Sequence, residues 1–456
     1  QIISVTISYG TAEETTEATT KDATTTTKKE TTTETTTKNP GSGSSSGISF
    51  SKAPSNTITT ITSNNSSALV NAVKTLNSSG GTIYIDTPVI EVSSAIKIST
   101  SKAGAIVGVR QSDGTYPRLD FTKNRSSGSR GITVSGSNQL IQGLIVENAG
   151  DNGIWVSGSD NNIEHVIARY NGDSGIQLSN AADGNKLVGC YSYRNCDIAT
   201  YGANADGFAP KLGASNTVFE YCYAWDNSDD GWDSYDKSGD KSATVTYRHS
   251  ACWNNGNTKT FTGEYDFENG DALDTKLWTV KDIMSADSSF ASNYKNGKFD
   301  TSKGKINGKS VSSWVSSAEG EMNGNGFKFG SKTTEQSESV IRTAENCIAF
   351  DHKSKGFDNN NSKGCSGYFY NCMSFDNQRN YSLPYVLKQW ENIYGWDYTQ
   401  SNTANSTPKE PTIPSNAAQV ENEVRNIKDQ IIAYVYDDKM PDDYGVDFDD
   451  VFSMVK

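Results

Sequence analysis

Four aspartates and one lysine in the middle of the chain are the residues whose types and spacing could do chemistry. Asp206 lies in Ala-Asp-Gly-Phe. Asp229, Asp230 and Asp233 lie in Ser-Asp-Asp-Gly-Trp-Asp. Lys328 lies in Gly-Phe-Lys, so its place after the glycine matches that of Asp233. Carboxylates in this number supply the hard oxygen ligands that Ca²⁺ prefers. Without a cation they would repel one another and raise one another's pKa values.

A recurring phrase aligns these residues. An asparagine or histidine is followed by glycine and an apolar or aromatic residue, as in Asn227…Gly231-Trp232. The leading residues stand at 148, 171, 195, 227 and 255, which are 23, 24, 32 and 28 residues apart, and again at 352 and 377. A repeat of this length, with alternating apolar and polar residues, predicts a solenoid of stacked short strands. Because stacked strands lie about 4.8 Å apart, the four carboxylates and the amine would meet in one patch.

The rest of the chain divides by composition. Residues 1–10 alternate like a strand and are interpreted as a remnant of an upstream module, whereas the Thr/Glu/Lys and Gly/Ser tract 11–47 predicts a disordered linker. The solenoid is predicted over 48–400, with an excursion at 257–322 that is too long for a plain loop. Residues 401–456 are predicted to form an amphipathic helix and an acidic tail that pack on the solenoid or cap it.

Two helices are expected beside the strands. The first begins at Ser66 or Ser67, ahead of the first strand, and ends at Gly80-Gly81. It would cover the apolar end of the first rung, a rung being one turn of the solenoid, as solenoid caps do. The second covers residues 415–436 and has the one-sided apolar spacing of a helix that buries a single face. Its apolar stripe consists of Val420, Val424, Ile427 and Ile431.

Charge and hydropathy exclude two classes of protein. The formal net charge of −13 has the wrong sign for a nucleic-acid-binding protein, and no apolar run is long enough to span a membrane. The first residue is Gln1, so we expect a mature or excised piece of a secreted protein, here the monomeric catalytic module of a larger enzyme. A bound divalent cation would reconcile so acidic a protein with an acidic polymer as its partner.

The seven cysteines leave two interpretations open. Cys190 and Cys222 each lie five residues before their rung asparagine, and Cys347 and Cys372 lie five before His352 and Asn377. The two cysteines of each pair therefore occupy the same position on neighbouring rungs, that is, one column of the solenoid. This permits a disulfide, but stacked side chains point in the same direction, so a column of buried thiols fits equally and is favoured. The sequence has no Cys-x-x-Cys pair, which argues against a zinc site.

Lys328 could act as a general base in the acidic patch. It lies between Phe327 and Phe329, and partial burial beside a cation would lower its pKa from the reference value of about 10.4. A neutral amine there could remove a proton next to a carboxylate, as β-elimination on a uronic acid requires. Surface lysines are mostly solvated and Asp-Gly turns are common. The argument therefore depends on the cluster as a whole.

These segments resemble the family 9 polysaccharide lyases. The resemblance spans residues 50–385 and is carried by Ala-Asp-Gly-Phe-Ala at 205–209, Asn-Ser-Asp-Asp-Gly-Trp-Asp at 227–233, Asn-Gly-Asn-Gly-Phe-Lys at 323–328 and Lys-Gly-Phe-Asp-Asn-Asn at 355–360. It implies an all-β fold, a right-handed parallel β-helix, and calcium-dependent cleavage of pectate (polygalacturonate). It also implies the assignments reached from the columns: the four aspartates bind the primary Ca²⁺, and Lys328 is the base.

Three alternatives stay open. A hydrolase of the polygalacturonase kind could use an aspartate pair as acid and base, but its Gly-His-Gly is missing, because the three histidines lie in other contexts. A non-catalytic carbohydrate-binding solenoid could hold a structural calcium, although Lys328 would then be unexplained. A lyase could also act on another uronate polymer, such as a rhamnogalacturonan. Lys211 and Arg248 are the basic residues that we expect to bind neighbouring uronates.

Overall fold

The computed structural model describes residues 48–126, 128–180, 182–235, 244–262, 294–295, 298–299, 305–306, 309–330, 340–360, 365–383, 387–399, 407, 409–441 and 445–456. The predictions for residues 1–10 and 11–47, and for most of the excursion at 257–322, fall outside the described residues.

The described residues form twenty-nine strands, numbered along the chain. They are β1 (Thr57–Ile61), β2 (Gly81–Ile85), β3 (Val89–Glu91), β4 (Ile96–Ile98), β5 (Gly104–Gly108), β6 (Arg118–Asp120), β7 (Ile132–Val134), β8 (Gln139–Glu147), β9 (Ile154–Val156), β10 (Asn162–Arg169), β11 (Ile176–Leu178), β12 (Lys186–Val188), β13 (Tyr191–Tyr193), β14 (Phe208–Pro210), β15 (Thr217–Glu220), β16 (Tyr223–Trp225), β17 (Trp232–Asp233), β18 (Thr244–Arg248), β19 (Ala251–Trp253), β20 (Tyr294–Lys295), β21 (Lys298–Phe299), β22 (Lys305–Ile306), β23 (Lys309–Ser310), β24 (Phe327–Lys328), β25 (Ile341–Phe350), β26 (Lys355–Asp358), β27 (Ser366–Asn377), β28 (Arg379–Ser382) and β29 (Leu387–Tyr398).

Five helices accompany them in the same part of the chain. They are α1 (Ser66–Ser79), α2 (Thr258–Thr262), α3 (Val311–Glu321), α4 (Ala417–Tyr436) and α5 (Asp449–Met454), with short 3₁₀ turns at Phe121–Asn124 and Ile198–Thr200. Within the described residues, none of these helices has both the length and the apolar composition needed to cross a membrane.

Two sheets of parallel strands carry the repeat. The smaller sheet has nine strands in the order β28-β26-β24-β17-β14-β11-β9-β7-β4. The larger has sixteen strands, and its pairings are also parallel. β20 with β21 and β22 with β23 form separate antiparallel hairpins. The chain is therefore an all-β, right-handed parallel β-helix with short helical additions, as the sequence predicted.

Residues with a left-handed backbone bend the larger sheet, so that each full rung has three strand segments. The long strands β8, β10, β25, β27 and β29 pass through the bend. Their bend residues are Gly143, His165, Asn346, Asn371 and Asn392, with φ between 49° and 66°. Glycine, asparagine and histidine are among the residue types that most readily adopt this conformation. Two segments of a rung thus lie in the larger sheet and the third lies in the smaller one.

The residue after each rung glycine points into the core, and four of these residues form an aromatic stack with Tyr381, which follows Asn380. The stack runs Phe208, Trp232, Phe327, Phe357, Tyr381, with successive ring centroids 4.9, 4.6, 5.0 and 5.1 Å apart. All five side chains are fully buried. Since strand neighbours alternate faces, the next residue on each rung points away from the core. This alternation places Asp233 and Lys328 on the outer side of the smaller sheet.

The leading residues of the repeat form a buried ladder of hydrogen bonds. The backbone N–H of Asn171 donates to Asn195 Oδ1 at 3.0 Å, and those of Asn195 and Asn227 continue the pattern at 3.2 and 3.0 Å. His352 takes the asparagine's place, because its Nδ1 accepts from the Asn255 N–H at 3.2 Å. Burial lowers the pKa of His352 to about 3, which keeps this nitrogen unprotonated.

The predicted first leading residue of the repeat, Asn148, is wrong by one position. Ala149, not Asn148, donates its N–H to Asn171 Oδ1 at 3.0 Å and so begins the ladder. Asn148 instead has φ 64° and donates from Nδ2 to Asp120 Oδ1 at 2.9 Å. Asparagine suits both positions, because it tolerates a left-handed backbone and also has the amide for a ladder.

We expect Asn171→Ala to lower the free energy of unfolding by roughly 2–4 kcal/mol, because the buried N–H of Ala149 would lose its acceptor. The midpoint of urea unfolding, monitored by tryptophan fluorescence, measures the change. Asn71→Ala, on the exposed side of α1, is the matched control and should change stability by less than about 0.5 kcal/mol. An equal effect of the two substitutions would contradict a stabilising role for the ladder.

The helix at the start of the solenoid differs in two details from the prediction. Asn65, rather than Ser66 or Ser67, caps α1, since its side chain accepts from the Ala68 N–H at 2.9 Å. β1 precedes α1 and pairs with β2, so the helix is not ahead of the first strand. Gly80 ends the helix with φ 71°, as expected.

The cysteines are buried free thiols, as favoured from their spacing. Cys347 and Cys372 are direct neighbours in the register of β25 and β27, and each thiol donates to backbone carbonyl groups. This arrangement is that of a stacked column in the core rather than of a disulfide.

Helix α4 packs against the outside of the larger sheet. Its apolar stripe is buried in a cluster with outward-facing aromatic residues of the rungs, among them Trp225, Trp253 and Phe375. Arg425 of α4 forms an ion pair with Asp351 at 2.7 Å. Helix α4 thus covers part of the outer side of the larger sheet and, within the described residues, does not cover the smaller sheet.

Candidate active site

The outer side of the smaller sheet brings the candidate residues together. The register pairs Asp233 with Lys328, and Lys328 with Asp358, on three consecutive rungs. The residue before each rung glycine forms a second column, because the glycine N–H donates to the carbonyl of the corresponding residue one rung on. Gly175 donates in this way to Asp206 O at 2.9 Å, and Gly207 to Asp230 O at 2.9 Å.

Three carboxylates converge at the centre of these columns. Asp206, Asp230 and Asp233 are buried, and each offers an oxygen that lies within 4.8 Å of the others. Asp229 is half-buried beside them, and its Oδ2 accepts from the Asn204 N–H at 3.0 Å. The part of the chain that the structure describes has no other such group of three potential metal-ligating side chains. The role of Asp229 as a fourth ligand remains a prediction.

Two lysines compensate the charge of the three carboxylates. Lys328 Nζ lies 2.7 Å from Asp230 Oδ2 and 3.6 Å from Asp233 Oδ2. Lys211 Nζ lies 3.0 Å from Asp206 Oδ2 and 3.2 Å from Asp233 Oδ2. Both lysine side chains are 15% exposed, whereas those of Asp206 and Asp230 are fully buried and that of Asp233 is 7% exposed.

Hydrogen bonds fix the orientation of each carboxylate. Asp230 Oδ1 accepts from the backbone N–H and from Nδ2 of Asn325, both at 2.7 Å. Asp206 Oδ2 accepts from Ser174 Oγ at 3.2 Å, and Asp233 Oδ1 accepts from the Tyr235 N–H at 2.7 Å. Each acid thus keeps one oxygen directed at the lysines. Preorganised oxygens of this kind are what a cation site requires.

Burial and the lysines act on these pKa values in opposite directions. Burial raises the pKa of Asp206 well above its ordinary value, although Lys211 opposes the shift. Burial, reinforced by Asp229, raises the pKa of Asp230 to about 7. Burial also acts to raise the pKa of Asp233, but Lys328 and Lys211 outweigh it and hold that pKa below its usual value.

Lys328 responds to the same charges. Burial lowers the pKa of its amine, but Asp230, Asp233 and the other two aspartates outweigh burial and raise that pKa well above its ordinary value. With the carboxylates uncompensated by a metal, the amine is therefore protonated. The donor set of buried carboxylate oxygens, held by hydrogen bonds and balanced by ammonium groups, fits a hard divalent cation such as Ca²⁺.

The two basic residues proposed for substrate contacts lie in different places. Lys211, just after β14, reaches back into the carboxylate cluster. Arg248 lies in β18 of the larger sheet, where it pairs with Glu220 at 3.5 Å and with Glu345 at 3.3 Å. The structure therefore brings Lys211 into the site but does not bring Arg248 there.

Sequence reasoning missed three residues that orient the carboxylates. Ser174 and Asn325 occupy the column before the glycine, so the repeat itself offered a signal for both. Tyr235 acts through its backbone N–H, and its ring lies 5.7 Å from Lys328 Nζ. A backbone donor leaves no signal in the residue type.

A family model and two relatives of known name match this chain, and all three refer to pectate lyases or to a Pel9A-like β-helix. Residues 50–298, more than half of the chain, match the family model described as "Pel9A-like, right handed beta helix region". The chain is 28% identical over 219 residues to pectate lyase L of Dickeya chrysanthemi, an alignment that covers 48% of this chain and 36% of that protein. It is 29% identical over 251 residues to pectate lyase L of Paenibacillus polymyxa (strain SC2), covering 52% of this chain and 56% of that protein.

The fold has a similar solved structure. The crystal structure of pectate lyase Pel9A aligns with a TM-score of 0.50 and 24% identity, over 80% of this chain and 81% of that chain. The chain matches about a third to just over half of the length of the two relatives named above.

Proposed function

Because the chain belongs to the Pel9A-like right-handed β-helix family, we propose that it is a pectate lyase, which cleaves α-1,4-linked galacturonan by calcium-assisted β-elimination. The observation that carries the proposal is the contact of Lys328 Nζ with a buried aspartate, Asp230 Oδ2, at 2.7 Å, beside two more buried carboxylates. An amine and a set of cation ligands at this separation are what elimination next to a carboxylate needs. The similarity to two pectate lyases supports the same chemistry.

Asp206, Asp230 and Asp233, with Asp229 as the fourth, would hold the calcium ion. When bound, calcium neutralises the uronate carboxylate, which acidifies the proton at C5, and its charge opposes protonation of the nearby amine. Asn325 and Ser174 keep the ligand oxygens directed at the site. Lys211 stays a candidate for binding the carboxylate of a neighbouring uronate.

Lys328 supplies the base. Its neutral Nζ accepts the proton from C5, and the electron pair of the C5–H bond becomes the C4–C5 double bond. The bond between C4 and the glycosidic oxygen breaks, and that oxygen leaves with its electron pair and takes a proton from water. One product chain carries an unsaturated sugar and the other a new hydroxyl group. We also propose that the protein is secreted and acts as a monomeric module on acidic polysaccharide.

Ultraviolet absorbance of a polygalacturonate solution at alkaline pH tests the proposal. We expect an unsaturated-product band that grows with enzyme and calcium and does not grow with enzyme and a chelator. Release of reducing ends without the band would instead indicate hydrolysis by the aspartates. If neither appears, the same assay with rhamnogalacturonan distinguishes a lyase for another uronate polymer from a carbohydrate-binding solenoid.

Turnover should increase from neutral into alkaline pH. Only the unprotonated amine can accept a proton, and the ordinary pKa of a lysine, about 10.4, lies well above neutral pH, so the active fraction grows as pH rises. The measurement is kcat against pH at saturating calcium and substrate, with the ion concentration held constant. A flat profile between neutral and alkaline pH would contradict Lys328 as the base.

A further inference from the structure

An arginine lies in the column that carries Asp206 and Asp230. Gly131 N–H donates to Asn152 O at 3.0 Å, Gly153 N–H to Ser174 O at 3.3 Å, and Gly175 N–H to Asp206 O at 2.9 Å. The residue before Gly131 is Arg130. Arg130 therefore lies three rungs before Asp206 on the same outer side of the smaller sheet, a separation of about 14 Å at ~4.8 Å per rung.

Arg130 is held in place by an aromatic ring. Its guanidinium carbon lies 4.1 Å from the ring centroid of Trp155, the half-buried outward residue of β9. A guanidinium stacked on an indole is a cation–π arrangement that fixes its plane. Asp151 Oδ1 lies 3.5 Å from Arg130 Nε, too far for a strong hydrogen bond, and the arginine side chain is 37% exposed. The charge thus has a fixed position and remains accessible to solvent.

The surface between this arginine and the acidic cluster carries no charge in either column. Asn152 and Ser174 lie between Arg130 and Asp206. Gln177 and Ala209 separate Trp155 from the rung of Asp233. Neutral polar groups and one small side chain line these two columns, whereas the half-buried Asp151 and Asp173 precede Asn152 and Ser174 on the same rungs.

We propose that Arg130, positioned by Trp155, forms a distal subsite that binds the carboxylate of a uronate unit several sugars away from the bond that is broken. The inference rests on the proposed function for its substrate class. A guanidinium binds a carboxylate through two parallel hydrogen bonds, so the subsite selects charged over esterified sugar units. It also defines the path of the polymer, which lies along the stacking direction of the rungs.

Substrate length tests the subsite. Arg130 lies five rungs from Lys328, about 24 Å at ~4.8 Å per rung, so a trisaccharide at the reacting position cannot reach it. We expect Arg130→Ala to raise the KM for polygalacturonate about tenfold, as for the loss of one charge-assisted hydrogen bond pair. Its kcat should stay within about twofold, and its kcat/KM for trigalacturonate should stay unchanged. Arg130→Lys keeps the charge but loses the paired N–H donors of the guanidinium, so its KM for polygalacturonate should lie between those of the unsubstituted protein and Arg130→Ala.

Arg110→Ala is the matched control. Arg110 is an exposed arginine after β5, and its Nε donates to Gly114 O at 3.2 Å. It should leave all three constants unchanged. An unchanged KM for polygalacturonate in Arg130→Ala, or equal losses with the polymer and the trisaccharide, would overturn the inference.

A binding experiment separates this inference from the proposed function. In a Lys328→Ala background with calcium, titration calorimetry should show polygalacturonate binding about tenfold weaker after Arg130→Ala. Trp155→Ala, which frees the guanidinium, should have a similar effect, and fully methyl-esterified polymer should not distinguish the variants. If the parent binds polygalacturonate through Arg130 but the unsubstituted protein makes no unsaturated product, the proposed function alone fails. If the parent does not bind, or binds equally without Arg130, the subsite is refuted.

Discussion

Lys328→Ala should lower kcat for polygalacturonate by about three orders of magnitude, which is the typical contribution of a positioned general base. The structure gives the reason, because Lys328 is the lysine that contacts Asp230, at 2.7 Å, and shares Asp233 with Lys211. The substitution removes the amine and leaves all four aspartates. Calcium binding, measured by titration calorimetry, should therefore be retained.

A second variant separates the base from its charge. Lys328→Arg keeps a cation beside Asp230, but the guanidinium does not give up its proton in water at any pH of the assay. It should be as inactive as Lys328→Ala while preserving the thermal stability of the metal-free protein. If Lys328→Arg keeps a substantial part of kcat, the lysine acts through its charge and another group is the base.

The three-segment rung explains which features could be predicted from sequence. The glycine and the aromatic residue after it mark the same point on every rung, so residues near them can be aligned without a structure. Asp233 and Lys328 therefore met in the register as the columns indicated. The aromatic stack that runs through Phe208 and Trp232 fixes that register, because a slip of one residue would turn each ring out of the core.

Residues farther from the glycine were harder to place. Sequence distance does not reveal which of the three segments a side chain belongs to, because the bends depend on single left-handed residues such as His249, with φ 48°. Arg248 precedes that residue and so belongs to the larger sheet, among Glu220 and Glu345. Lys211 lies just past the end of its strand, and only the reach of its long side chain brings it back to Asp206.

The charge balance of the site also could not be predicted from the sequence. The columns indicated four carboxylates and one lysine, whereas the structure pairs three buried carboxylates with two lysines. Two ammonium groups allow the carboxylates to remain close together in the absence of metal, which a burial argument alone would not permit. A cation would therefore bind in competition with the lysines, and removal of a carboxylate should affect metal and lysines together.

Asp233→Asn should weaken calcium binding by at least about 100-fold, more than the loss of an outer-shell partner costs. Asp233 is the acid that both lysines share, and its Oδ1 accepts from the Tyr235 N–H. An asparagine can keep that hydrogen bond, so the substitution removes a charge and a ligand with little change to the turn. Titration calorimetry with calcium alone measures the affinity, and turnover should recover only at much higher calcium.

Matched controls make the Asp233 result specific. Asp183→Asn changes an exposed aspartate, which accepts from Asn216 Nδ2, and should leave calcium affinity unchanged. Asp229→Asn tests the half-buried acid beside the group of three, and a loss there would make it the fourth ligand. If Asp233→Asn binds calcium as tightly as the unsubstituted protein, the three converging carboxylates are not the metal site, because one of them contributes nothing. Their role would then be to hold the two lysines in place, and the calcium that elimination needs would have to bind through the substrate.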